Sequence, residues 1–183
     1  MSQAGTFGSG GGGGGNDALV LIQTQHVAGG TNSIQFINLP NIYTTYFLTY
    51  NDVSAQPNGT NFTLLFSTDN GATFINSGYQ AGENGIFWNN FIGWINANQT
   101  TSIFLAGNSQ LQFTSSGQMW LYNLQSTVSP FILGTTLQNT AGLQLEGLEQ
   151  AYNTTTTPVN ALKIQCGIID VIFGTFSLYG LVQ

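Results

Sequence analysis

Ionisable side chains are so scarce in this chain of 183 residues that each can be weighed for chemistry in turn. The acids are Asp17, Asp52, Asp69, Glu83, Glu146, Glu149 and Asp170; the single base is Lys163, and arginine is absent. Glycoside hydrolysis needs two carboxyl groups in one cleft, with one pKa raised. Glu146 and Glu149 form the close acidic pair. On a helical turn they would share a face; on a strand they would point to opposite sides. Nothing nearby is suited to raising one of their pKa values, so solvated surface acids are expected. His26, at the end of an apolar run, makes neither a triad nor a metal site and is read as a turn or surface residue. Cys166 sits within Ile164-Gln165-Cys166-Gly167-Ile168 and reads as a small buried hydrophobe rather than a nucleophile. With one His and one Cys, a designed zinc site is excluded, and Asp69 with Asn70 lacks the ligand spacing of a calcium loop. The chain is expected to be no enzyme, with no cofactor and no metal.

The segment Ser67-Thr68-Asp69-Asn70-Gly71-Ala72-Thr73-Phe74 resembles the Asp-box pattern of sialidases and many other β-proteins. Its physics is that of a tight hairpin turn. The Asp69 side chain accepts backbone N–H groups, Gly71 supplies a positive φ, and an aromatic at Phe74 plugs the core. Ser67, Asp69, Gly71, Thr73 and Phe74 are therefore structural candidates. A sialidase is untenable, because arginines normally hold the substrate carboxylate.

Charged residues make up only 4% of the chain and hydrophobic residues 42%, against roughly a quarter charged in ordinary soluble proteins. The surface must be built from Asn, Gln, Ser, Thr and Gly. Such a surface opposes self-association weakly, so a life within an assembly is favoured over one in a harsh extracellular medium. Without Lys and Arg to neutralise phosphates, no nucleic-acid partner is expected. Anionic membranes are unfavoured for the same reason, and no apolar run is long enough to insert across a bilayer. No signal-peptide pattern opens the chain. The sequons at Asn58, Asn61, Asn98 and Asn153 are accordingly not expected to carry glycans.

The elements that must position these residues read as strands. Residues 1–16 form a glycine-rich N-terminal arm or linker, with Gly10 to Gly15 unbroken; Phe7 would anchor it if it packed on a neighbour. Residues 17–183 form a single domain. Ala18 to Gln25 is the first strand. Three runs of period two follow, around Ile34 and Phe36, around Tyr46, Leu48 and Tyr50, and around Phe62, Leu64 and Phe66. Turn chemistry separates them, so a three-stranded meander is expected. Gly85 to Ile95 reads as one strand apolar on both faces, hence central or at a subunit interface. Further strands are expected at Ser102 to Leu105, Gln110 to Thr114, Gln118 to Leu124, Phe131 to Leu137, Ala141 to Gln150, Ala161 to Ile172 and Thr175 to Val182. The last two are divided at Phe173-Gly174. The fold class is all-β, an antiparallel, jelly-roll-like β-sandwich. Trp88, Trp94 and Trp120 are candidates for interface contact, or for stacking on sugar rings beside Asn and Gln donors.

Three stretches and the ending together carry a resemblance. They are His26 with Ser33-Ile34-Gln35-Phe36-Ile37-Asn38-Leu39, then Tyr43, Tyr46 and Leu48, then Leu64 to Phe74. The ending Gly174-Thr175-Phe176-Ser177-Leu178-Tyr179-Gly180-Leu181 is the other part. In their order and spacing they resemble virion proteins of tailed bacteriophages, over about half of the chain. The resemblance implies a structural β-sandwich of a tail fibre, tail tip or capsid decoration, often a homotrimer, assembled in the host cytoplasm into the virion. Its partners would be sister copies, other virion proteins and, on a fibre, a host surface glycan. It brings no catalytic residues. The near absence of charge and the glycine arm depart from the pattern.

Overall fold

A computed structural model describes residues 18–56, 60–87, 92–95, 101–106, 114–140 and 143–182. Among them are twelve strands: β1 (Ala18–Ala28), β2 (Ser33–Phe36), β3 (Thr45–Gln56), β4 (Phe62–Ser67), β5 (Tyr79–Phe87), β6 (Ile92–Ile95), β7 (Ile103–Ala106), β8 (Ser115–Tyr122), β9 (Phe131–Thr140), β10 (Leu143–Asn153), β11 (Ala161–Gln165) and β12 (Val171–Val182). They form an antiparallel sandwich, as expected, of two unequal sheets. The larger has the order β1-β12-β3-β8-β9-β10-β5-β6 and the smaller β2-β11-β4-β7.

The period-two runs form strands at the expected places, but they do not pair with one another. β2 and β4 flank β11, whereas β3 lies between β12 and β8. The expected meander is thus replaced by a chain that passes from sheet to sheet, and the true meander is β8-β9-β10. The physical reason is that each run has one strongly apolar side. Stacking the two sheets face to face buries Ile34 and Phe36 against Tyr46, Leu48 and Tyr50, with Phe62, Leu64 and Phe66 beside them in one core.

Two further expectations are corrected, and the surface reading of His26 holds. Gly85 to Ile95 is not one strand: β5 ends at Phe87 and β6 begins at Ile92, paired antiparallel with Ile86 opposite Ile92. The break before β12 lies at residues 166–170, not at Phe173-Gly174. Gly174 is instead a bulge inside β12, where φ is +125° and the register against β3 shifts. His26 is an exposed residue within β1, its Nδ1 2.9 Å from Thr175 Oγ1. The strand expected at Gln110 to Thr114 lies almost wholly outside the described residues, as does the arm at residues 1–16. The ambiguous stretch around Glu146 is strand, within β10.

Hydroxyls tie the sheets together. Tyr50 and Thr136, on β3 and β9, both donate to the Leu105 carbonyl of β7, at 2.8 Å each. Tyr79 donates to Ile75 O at 3.1 Å and accepts from Phe66 N at 2.8 Å. Tyr46 donates to Pro40 O. Burial pushes the phenols of Tyr46 and Tyr79 from 10.0 up to about 12. A phenol whose folded pKa is raised contributes stability that is fully present below pH 10 and lost as pH rises toward 12. The contribution of these two tyrosines to the unfolding free energy is therefore expected to be level below pH 10 and to fall above it. Circular dichroism against phenolate absorbance tests this: ionisation of these two tyrosines without loss of β structure would contradict it.

Candidate functional site

An antiparallel sheet with one face in a core ordinarily turns polar residues outward. The larger sheet does not. Between buried Tyr46 and Leu48 stands Phe47; between buried Met119 and Leu121 stands Trp120; next to buried Leu178 stands Tyr179. All three are half-buried and face away from the core. The pairing register lines them up across the sheet. Leu21 is opposite Tyr179, Tyr179 opposite Phe47, Phe47 opposite Trp120, and Trp120 opposite Leu133. The rings touch: Phe47 lies 4.4 Å from Trp120 and 6.2 Å from Tyr179, centroid to centroid.

A second ladder runs beside the first: Leu19, Leu181, Thr45, Tyr122, Phe131 and Tyr152 are opposite one another in turn. Tyr122 and Phe131 stack at 4.5 Å. Leu19, Leu21, Phe131, Leu133 and Tyr152 are exposed large hydrophobics. The outward face is thus an uncharged aromatic and aliphatic band across β1, β12, β3, β8 and β9.

Beyond Trp120 the same face turns polar. A shallow depression of about 470 Å³ is lined by Thr49, Asn51, Ser116, Gln118, Thr135 and Leu137, among others. Its lining offers hydroxyls and amides but no ionised group, so its chemistry suits neutral polar ligands or another neutral protein surface.

Of the tryptophans singled out by sequence, Trp120 belongs to this band. Trp88 and Phe7 lie outside the described residues, and Trp94 is placed on β6 opposite Asn84. What sequence reading missed is Phe47, Tyr179, Tyr122 and Phe131. The signal was present, since each is an aromatic at the off-beat position of an alternating run.

The turn at Ser67 to Phe74 is built as its chemistry requires, although its setting differs. Thr73 donates to the Asp69 carboxylate through its N–H at 2.9 Å and its hydroxyl at 2.6 Å. Ser67 Oγ donates to Asp69 Oδ1 at 2.7 Å and accepts from Gly71 N at 2.9 Å. Asn70 and Gly71 both have positive φ, 60° and 86°. These bonds, from Thr73 first, hold the Asp69 carboxyl down at about 2, so their contribution is present above pH 3.8 and lost as pH falls through about 2. The turn does not close a hairpin, because β4 and β5 belong to different sheets. Nor does Phe74 plug the core: it is half-buried, with Lys163 Nζ 4.5 Å above its ring. Asn160 and Asn38 brace the turn instead. Asn160 accepts from Asn70 N at 2.7 Å, and Asn38 Oδ1 accepts from Asn70 Nδ2 at 2.7 Å.

Glu146 and Glu149 both lie on β10. Cys166 is half-buried; burial, with Asp170 close by, pushes its thiol up to about 11, away from nucleophilic use at neutral pH. Among the described residues no group of three His, Cys, Asp or Glu side chains is placed to hold a metal ion. Asn153, in one of the sequons, is 1% exposed and occupied, donating to Ser77 O at 3.0 Å and accepting from Thr155 N at 2.8 Å.

No protein-family model, curated protein or solved structure matches the chain.

Proposed function

We propose that the chain is a non-enzymatic structural protein of a tailed-bacteriophage virion, a tail-fibre, tail-tip or capsid-decoration component that self-associates, as a homotrimer, through the outer face of its larger sheet. The observation that carries self-association is the uncharged Leu21–Tyr179–Phe47–Trp120–Leu133 ladder on the side of the sheet opposite the core. Apolar area of this extent gains by being covered, and a chain so poor in charge meets little repulsion from its own copies. The virion setting is supported by the motif order from Ser33 to Phe74 and by the ending Gly174 to Leu181.

Multi-angle light scattering of the full chain tests the reading. Phe131→Lys with Leu133→Lys places two charges on the exposed part of the band. Each substitution removes roughly 1.5–3 kcal/mol of apolar burial, tenfold or more in association constant. Loss of the oligomer with an unchanged circular dichroism spectrum is the expected outcome. A wild-type chain that stays monomeric at every concentration, and that binds no particle, would sink the reading.

A second reading rests on one observation, the placement of Trp120 and Phe47 beside the neutral depression containing Asn51 and Gln118. Aromatic rings next to amide and hydroxyl groups are the parts of a site for uncharged sugars, and the chain would then serve as a receptor-recognition module on a fibre. Binding on a glycan array that disappears in Trp120→Ala would favour it over assembly alone.

A further inference from the structure

Of the four sheet edges in the described structure, three are short: β6, β2 and β7 have four residues each, whereas β1 has eleven. Shortness is one means by which proteins prevent strand edges from pairing with other chains; lysine, proline and covering loops are others. β1, with the sequence Ala-Leu-Val-Leu-Ile-Gln-Thr-Gln-His-Val-Ala, has no lysine, no proline and no acid. The bulge after Leu21 divides it. The later part is met by the smaller sheet, where Gln25 Nε2 donates to Gln35 O at 2.6 Å. The earlier part is open on both faces: Leu19 is 43% exposed, Val20 39% and Leu21 54%. Val20, opposite Gly180 on the core-facing side, keeps this exposure although the Tyr43 ring lies against Gly180 beside it.

We propose that the Ala18–Ile22 edge of β1 pairs antiparallel with the same edge of a second copy, joining two larger sheets into one continuous sheet. Three features favour a second copy over another protein. The segment is uncharged, so pairing with itself sets no like charges opposite each other. Leu19 and Leu21 are the ends of the two outward ladders, and a two-fold axis normal to the sheet makes each ladder run on into its copy. Val20 meets its own counterpart on the opposite face, which gives its exposed part an apolar neighbour. The pairing goes beyond self-association through the outer face and does not depend on it. It is compatible with a homotrimer only in a dihedral assembly of two trimers.

A two-fold axis of this kind sets one residue directly opposite its own copy, because paired residues of an antiparallel ladder point to the same face. Cysteines placed singly at positions 18 to 22 of the full chain, in a Cys166→Ser background, therefore locate it. Disulfide-linked dimers peaking at one position and falling on either side are expected. Val20→Lys in the otherwise unaltered chain, which brings two ammonium groups together, is expected to abolish the two-fold contact seen by light scattering. A flat cysteine scan overturns the proposal, as does an edge contact that survives Val20→Lys. A β1 edge whose amides are protected from hydrogen exchange in a chain that remains monomeric overturns it too, since another part of the same chain would then cover the edge. The Phe131→Lys, Leu133→Lys variant lies several strands away on β9. An oligomer lost there but kept in Val20→Lys would refute the edge contact and leave the outer-face reading intact.

Discussion

Gly134→Ala is expected to destabilise the protein by about 3 kcal/mol, an overpacking cost, and to lower Tm by roughly 6–12 °C. Gly134 lies in β9 opposite Met119. A Cβ built there would stand 2.6 Å from the Gln118 carbonyl oxygen, 2.6 Å from Met119 Cγ and 3.2 Å from Met119 Cα. Two of these three atoms are backbone, in a strand held on both sides, so a rotamer change alone cannot relieve the contact. Gly82 is the control. It also lies in a strand of the larger sheet, yet nothing stands within 4 Å of its Cβ position. Gly82→Ala should leave stability unchanged or raise it by up to about 1 kcal/mol. Calorimetric scans of the two variants decide the matter; similar Tm values would show that β8 and β9 are less tightly apposed than described.

Phe176→Ala is expected to cost about 3–5 kcal/mol. Phe176 is buried in β12, and its ring lies 6.4 Å from that of Phe62 in β4, across the gap between the sheets. Truncation removes a large side chain from the centre of the sandwich, where neighbours on two sheets cannot both collapse inward. Tyr179, three residues on, faces the other way and is half-buried. Tyr179→Ala should therefore cost the monomer much less while weakening association measurably. Urea unfolding together with light scattering separates the two roles. Equal losses of stability would mean that the outer face is no different from the core.

Strand positions were legible wherever apolar residues alternate, as in Tyr46-Leu48-Tyr50 and Phe62-Leu64-Phe66, because the side-chain period of a strand is a local property. Pairing was not legible. An alternating run records which face is buried and nothing about its neighbour, so three successive runs read as a meander although the chain sends them to different sheets. The Asp69 turn was readable down to its acceptor and donor groups, since these bonds lie within a few residues. That it links two sheets, and that Lys163 covers Phe74, depends on contacts distant in sequence. The candidate face was half legible. Trp120 drew attention as a large ring, but Phe47 and Tyr179 look like ordinary strand residues until register brings them into one row. Gly174 shows the opposite error, a glycine read as a break where the strand continues through a bulge.

The position of β12 between β1 and β3 has a kinetic consequence. β1 and its sheet neighbour β12 are the first and last of the described strands, with all the others between them in sequence. Until β12 inserts, β1 and β3 both expose backbone donors and acceptors, and no local hairpin can satisfy them. Folding rates fall as contacts become more remote in sequence, so completion of the larger sheet should be slow. During that interval the unfilled slot in the larger sheet is open to β12 of another copy, which makes strand exchange between nascent chains a competitor to correct closure.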